Sequence, residues 1–552
     1  METGFIDGVR GLPRGDRRLL AGLVGAALLA LALGIVFGAL TGLVRASVFV
    51  PDPETGYRLL TLHGATIFFY WLYFAQAALL LALAAAQRGG PPAIALRPAA
   101  WAGFLLMAVG FLFSETAALV GEPTLYDAPP LLGVEARGPL ALFYVGYLAL
   151  ALGLALVAAA AVATVLVGKR EGRAGSWSAV GFAAVAWAGL LVVSSIAAFN
   201  VFLPAALWAL GIGPLPADYE TGWHILFHNM HYLPLMATVV LWYVLVQQLC
   251  GVTSIFGARF SKAVFALYLV FVPPTSLYHM FLEPGLAPAM RALGSVLSLF
   301  IGVPTLLVFL VIVASLEVHA RAGGARGLFG WLRRLPWGEP AMAAIGAAAV
   351  NLALGGVFAF VLIQAEFAPL LSDSFFVPGY FHFLTVGTVT LTFLGAFAVL
   401  VPALAGRRLW RPALLARLPW GLSAGLLLFG GAGLLAGLQG APRRVLDVAY
   451  EGGAPTSWVP LMQVVGAGGI VMTAAVGLYV LALALALTLV GAPAAETRAA
   501  APLRLAPAGA SIDGRAAWLG PLSVALFLAA LYAATALTFA VLRGLPILAI
   551  GG

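Results

Sequence analysis

Charge is what this sequence has least of. Only 9% of its 552 residues are charged, whereas 62% are apolar. A soluble domain carries about a quarter charged residues, so this chain has too little polar surface to meet water on all sides. Cysteine is nearly absent too, with Cys250 standing alone. One thiol excludes an internal disulfide and any copper or iron–sulfur centre built on several cysteines; such a centre would have to come from a partner. The net charge is +8. Its basic residues lie between apolar runs and form no stripe or patch, so no nucleic-acid partner is expected.

Long apolar runs are what the chain has in abundance. Leu19–Val44 and Ala517–Leu542 each exceed the roughly 20 residues that span a bilayer. The first follows Arg10, Arg14, Arg17 and Arg18 but is too long for a signal-peptide core and lacks a clear cleavage site. It reads as a retained first helix. Thirteen spans emerge, at about 19–44, 58–86, 98–120, 138–167, 177–209, 222–249, 262–282, 289–318, 340–365, 376–403, 418–439, 459–489 and 517–542. Backbone groups in lipid must be paired within the segment, so these are expected to be helices. The expected fold is an all-α integral membrane bundle of about 13 helices, with residues 1–552 forming a single transmembrane domain in contact with membrane lipid. No internal repeat stands out, and the polar stretch at about 490–516 reads as a flexible link.

Basic residues orient the bundle. With the N-terminus cytoplasmic, 22 of the 29 Lys and Arg residues fall in cytoplasmic segments and 7 lie outside. A miscount of one span near the N-terminus would destroy that asymmetry. The expectation is a prokaryotic plasma membrane, with the N-terminus inside and the C-terminus outside.

Histidines then carry the chemistry. His63 and His382 lie five or six residues into the second and tenth spans, both entered from outside. His224, His228 and His231 sit early in the sixth span, and His279 near the outer end of the seventh. At 1.5 Å per residue, most fall within about 10 Å of the outer boundary. Only His319, at the inner end of the eighth span, is apart. Intramembrane histidines are rare and usually functional, because an unpartnered one is costly in a low dielectric. A pair from separate helices, such as His63 and His382, suits bis-imidazole ligation of a haem iron. His224, His228 and His231 follow i, i+4, i+7 and share a helix face. With His279 they are candidate ligands for copper, iron or zinc. One helix rarely wraps three imidazoles around one ion, so at least one of the three is expected to serve otherwise. The plainer alternative is a polar seam joining helices.

These residues resemble subunit I of the haem-copper oxidase superfamily, and its B-type cytochrome c oxidases in particular. Leu60-Thr-Leu-His-Gly64 resembles the segment bearing one ligand of the low-spin haem, and Val377-Pro-Gly-Tyr-Phe-His382 resembles a Val-Pro-Gly-His-Phe-His segment bearing the other. Ala314-Ser-Leu-Glu317, Arg326-Gly-Leu-Phe-Gly-Trp331 and Leu335-Pro-Trp337 are similar to B-type sequence. Pro442-Arg-Arg444 resembles the arginine pair that neutralises haem propionates. The resemblance implies a low-spin haem on His63 and His382, with Arg443 and Arg444 at its carboxylates.

The other half of the family's centre is altered. Tyr380 stands where the family has the proximal histidine of a second, high-spin haem. The copper ligand from the sixth helix is matched by His228, but the adjacent His-His pair of the seventh reads Tyr278-His279. Tyr232 matches the tyrosine cross-linked to the copper histidine. A rebuilt metal site holding copper or iron would use His228, His279 and either His231 or His224, with Tyr278 and Tyr232 close by. A tyrosinate at Tyr380 holds ferric iron and lowers its potential, whereas a neutral Tyr380 is a poor ligand and the second haem is then absent. On the eighth helix, hydroxyl positions of the family's proton route read Val308 and Val311, while Thr305 survives.

The function implied is respiratory: electrons pass through the low-spin haem to a modified haem/metal centre, with O₂ reduction favoured. Nitric oxide reduction is the alternative that best tolerates the valines, and a non-catalytic, single-haem electron-transfer or regulatory paralogue is a third. A transporter fits less well, for want of inverted repeats or midplane carboxylates. The electron donor would be a subunit II-like copper protein or a cytochrome on the outer face.

Overall fold

The structure, a computed structural model, describes residues 4–121, 137–172, 176–216, 219–273, 287–364, 367–444, 455–488, 503–507, 510 and 521–544. After a short helix at Phe5–Arg10 come α1 (Arg14–Arg45), α2 (Pro53–Ala86), α3 (Arg97–Val120), α4 (Arg137–Arg170), α5 (Ala179–Ala209), α6 (Tyr219–Cys250) and α7 (Gly257–Phe271). They are followed by α8 (Pro288–Ala322), α9 (Pro340–Leu362), α10 (Phe376–Ala405), α11 (Leu418–Leu438), α12 (Trp458–Thr488) and α13 (Pro521–Gly544). Among the described residues, 11 helices are long and apolar enough to cross a membrane. The seventh and thirteenth expected spans overlap α7 and α13, which are not among those 11. Part of the seventh span, 274–282, lies outside the described residues.

Helix ends reach a few residues beyond the apolar runs because polar caps close them. Asp52 opens α2: its carboxylate accepts the Thr55 amide at 2.9 Å and the Thr55 hydroxyl at 2.7 Å, with Pro53 in the first turn. Those two bonds, the amide foremost, hold the Asp52 carboxyl below its ordinary value. Ser178 caps α5 through the Gly181 amide in the same way. At the far end of α10, Gly406 turns the chain with φ +65°, a conformation that costs glycine nothing.

The stretch expected as a flexible link departs from that reading at 503–507. There the Leu503 and Leu505 amides donate to the Leu249 and Cys250 carbonyls at 3.0 and 3.3 Å. Those carbonyls belong to the last turn of α6 and have no partner within the helix, so the segment docks as a cap on it.

Packing sets the order of the layers. Neighbours in sequence mostly pack together, and α12 returns against α1. Burial distinguishes three helices. In the most apolar window of each span, 94% of α2 residues and 78% of those in α6 and α10 are buried, against 44–67% elsewhere. Most helices face lipid on one side; these three are enclosed. Three buried hydrogen bonds tie them to one another. Trp71 Nε1 of α2 donates to Thr390 Oγ1 of α10 at 3.0 Å, the Tyr73 hydroxyl of α2 to the Met230 carbonyl of α6 at 2.9 Å, and Trp242 Nε1 of α6 to Thr392 Oγ1 of α10 at 2.9 Å.

Trp71 and Thr390 provide the clearest test of this inner triangle. Trp71→Phe should lower stability in detergent by about 1–2 kcal/mol, since it leaves a buried hydroxyl unpaired where apolar packing is kept. Thr390→Val should cost a similar amount, and the double variant little more than either alone, read as a double-mutant cycle from thermal or denaturant unfolding.

Candidate functional site

The site lies at the end of the bundle where α2 and α10 begin, called here the upper end. His63 of α2 and His382 of α10 are partly buried there and lie within electrostatic reach of each other. Each ring is oriented by a backbone carbonyl. His63 Nδ1 bonds the Gly34 oxygen of α1 at 2.8 Å, and His382 Nδ1 bonds the Pro378 oxygen, one turn back in its own helix, at 2.8 Å. A carbonyl can only accept, so both Nδ1 atoms carry the proton and both Nε2 atoms keep a lone pair for a metal. That is the tautomer a bis-imidazole haem needs.

Local backbone geometry repeats at the two histidines. A π-helical turn, Ala65–Trp71, follows His63, and another, Thr385–Thr390, follows His382. Such turns insert an extra residue and free carbonyls from the regular ladder; they recur at functional sites. Asn351 of α9 donates to one such carbonyl, Gly387, at 3.2 Å. Thr66 in the first turn donates to Glu115 of α3 at 2.5 Å, and Tyr70 in the same turn bonds Ser114 at 2.6 Å. Since Trp71 and Thr390 are the last residues of the two turns, their bond joins the two histidine-bearing segments directly.

Glycines make room for these helices. On α1, Gly34, Gly38 and Gly42 recur every four residues, the small-residue spacing that lets membrane helices approach closely. A Cβ on Gly38 would lie 2.6 Å from His63 Cε1, and one on Gly34 would lie 2.4 Å from Ile67. On α11, a Cβ on Gly430 would meet the Phe383 ring at 2.3 Å, and one on Gly437 the Phe376 amide at 2.0 Å. The His382 ring itself packs on Phe429 of α11, centroids 4.4 Å apart.

Arg443 and Arg444 sit on a loop beside the start of α10. That loop pairs with the lead-in to the helix: Ser374 bridges Pro442, and the Arg443 amide donates to the Asp373 carbonyl at 3.0 Å. The Arg443 guanidinium reaches the Asp373 carboxylate at 3.2 Å, although that side chain is 87% exposed. The Arg443 Nε is buried with no hydrogen-bond partner among the described residues. A sheltered donor of this kind fits an acidic group such as a haem propionate. The donor set therefore suits a haem: two correctly tautomerised imidazoles and a cationic pair at the same end.

The rest of the expected site is described in part. His228 and His231 have ring centroids 5.8 Å apart. The His231 ring is walled by Phe227, Phe68 and Phe381, at 4.1, 4.5 and 4.8 Å. Tyr380 lies within electrostatic reach of both Tyr232 and Arg443. Tyr278 and His279 lie outside the described residues, as does the side chain of His224. Among the described residues, no three His, Cys, Asp or Glu side chains form a group able to hold a metal ion. His319 stays apart, its Nδ1 bonded to the Ser315 carbonyl at 2.7 Å.

Val308 and Val311 are buried on α8, where one hydroxyl arrives from α7, and a second hydroxyl chain links α6 to α7. Tyr268 of α7 meets Thr305 at 2.8 Å; Tyr243 of α6 meets Ser261 at 3.1 Å, and Ser261 meets Ser254 at 3.2 Å. Residue types alone did not single out Tyr243, Tyr268 or Ser261. Nor did they single out the Gly34-Gly38-Gly42 spacing, which was visible in the sequence.

Residues 18–471 match the family model described as cytochrome c and quinol oxidase polypeptide I. Cytochrome c oxidase subunit 1 of Thermus thermophilus is 29% identical over 477 residues, covering 81% of this chain and 80% of the relative. Among solved structures, a chain of a heme-copper terminal oxidase dimer studied by cryo-EM superposes with a TM-score of 0.80 at 20% identity, covering 94% of this chain and 93% of that one. The last likeness bears on the fold alone.

Gly38→Ala should displace the His63 ring, at a cost of about 1–3 kcal/mol from overpacking, and so abolish or shift the spectrum of any haem that ring would hold. Gly469→Ala on α12, whose added Cβ meets nothing within 4 Å, is the control and should leave the spectrum unchanged. Optical spectra of the purified variants decide the comparison.

Proposed function

The chain belongs to the cytochrome c and quinol oxidase polypeptide I family, and from that premise we propose that it is a respiratory redox subunit whose low-spin haem is held by His63 and His382. The haem supplies one-electron transfer when bound; the protein supplies its orientation and electrostatics. Paired Nδ1–carbonyl bonds on the two imidazoles carry the proposal most directly. Those bonds fix each ring and strengthen it as a ligand. Arg443 and Arg444 bind the haem carboxylates and hold positive charge beside them, which favours the reduced iron.

The second centre is modified. His228 and His279 hold the metal, copper or iron, with His224 or His231 as third ligand. Tyr232, within electrostatic reach of Tyr380, would supply a proton or hydrogen bond at that centre. Oxygen reduction is favoured, because the Thermus relative is named a cytochrome c oxidase subunit and because Thr305 still meets the Tyr268 hydroxyl. A second reading has its own observation: Tyr380 replaces the histidine expected to hold a second haem. Nitric oxide reduction tolerates that change and the buried Val308 and Val311; a single-haem, non-catalytic subunit tolerates it more simply.

The membrane orientation follows the basic residues: the upper end faces outside, the N-terminus lies in the cytoplasm and the C-terminus outside. With Cys250 as its one thiol, the chain receives electrons from a subunit II-like copper protein or a cytochrome on the outer face.

Haem content separates these readings. Two haems per chain with a carbon monoxide-sensitive spectrum and O₂ turnover support the oxidase; turnover on NO alone selects the reductase. One haem with no response to carbon monoxide would remove catalysis. His382→Ala should eliminate the low-spin spectrum under each reading, and its survival would overturn the ligand assignment.

A further inference from the structure

Arg45 is the last residue of α1 and reaches the upper end, where basic residues are scarce. Its side chain is buried, with the residue only 4% exposed. A guanidinium in such a place needs specific partners. Nη1 donates to the Pro442 carbonyl at 3.3 Å and Nη2 to the Arg443 carbonyl at 2.5 Å. Its plane lies over the Phe375 ring, 5.3 Å from the centroid. One side chain from α1 thus grips both the loop that carries the arginine pair and the lead-in to α10.

That grip closes a rigid unit. The Phe375 amide donates to the Ala441 carbonyl at 2.6 Å, and the Arg443 amide to the Asp373 carbonyl at 3.0 Å. Arg443 is therefore held at its amide by the α10 lead-in and at its carbonyl by Arg45. His382 lies seven residues beyond Phe375 on the helix so anchored. Without Arg45, the carbonyls of 442 and 443 lose two forked donors, and the loop keeps its backbone bonds to the α10 lead-in but loses its tie to α1. The Arg443 side chain is otherwise tethered to Asp373, an exposed carboxylate and a weak anchor.

We propose that Arg45 is a positioning residue that holds Arg443 and Arg444 over the His63–His382 haem and so raises its reduction potential. This rests on the reading of the arginine pair as partners of the haem carboxylates. The fork geometry is the active feature, since a lysine offers the same charge but cannot span two carbonyls from a planar group.

The test is a spectroelectrochemical titration of the low-spin haem in the purified full chain, with its optical spectrum confirming that haem is bound. R45Q and R45K should both shift the potential downward. In an R443Q/R444Q background, R45Q should add no further shift, because there is no pair left to position. A wild-type potential in R45K would overturn the proposal, as would R45Q and R443Q/R444Q shifts that add in full. Should R45Q fail to assemble with haem, R45K against wild type decides the question. An unmoved potential in R443Q/R444Q would instead sink the reading of the pair itself, and the role of Arg45 with it.

Discussion

Three buried hydrogen bonds fix the geometry on which the rest depends. Trp71 to Thr390, Tyr73 to Met230 and Trp242 to Thr392 join α2, α6 and α10 in a closed triangle. Apolar burial alone cannot set the rotation of a helix among other apolar helices, because lipid solvates its faces about as well as protein does. Directional bonds can. Each of the three pins one inner helix against another in both height and rotation. His63 and His382 lie within electrostatic reach of each other, and the His231 ring of α6 packs against Phe68 of α2 and Phe381 of α10.

The π turns and the glycine rows complete that arrangement. A π turn follows His63 and another follows His382; Asn351 bonds the Gly387 carbonyl of the second, and Thr66 and Tyr70 tie the first to Glu115 and Ser114 of α3. Outer helices then close in where they have no side chains: α1 through Gly34 and Gly38, α11 through Gly430 and Gly437. The Gly34 carbonyl serves twice, since close approach also brings it to His63 Nδ1. Small residues here secure packing and ring orientation together.

Much of this was legible in the residues. Helix positions followed from apolar length, and the places of His63 and His382 near the starts of their helices followed from counting along those runs. The carbonyl partners did not follow, because the Gly34–His63 contact joins residues on different helices and depends on how α1 and α2 cross. Arg45 was visible only as one of seven basic residues on the basic-poor side; its burial and its two carbonyl partners required the fold. The polar composition of 490–516 suggested slack chain, yet 503–507 supplies amides to carbonyls that α6 leaves open. Composition reports the polarity of a segment but not the unsatisfied groups that await it. His231 shows a different limit: its spacing from His228 placed the two rings near each other, 5.8 Å between centroids, but did not reveal the phenylalanine rings packed on it.

Ligation of one iron by rings from α2 and α10 underlies the respiratory role, the place of the arginine pair and the part given to Arg45. Electron paramagnetic resonance of the oxidised, haem-loaded protein addresses it directly. A low-spin ferric signal of the bis-imidazole type, lost on replacing either His63 or His382, is the predicted result. A high-spin signal alone, or a low-spin signal that persists when either ring is removed, would contradict it.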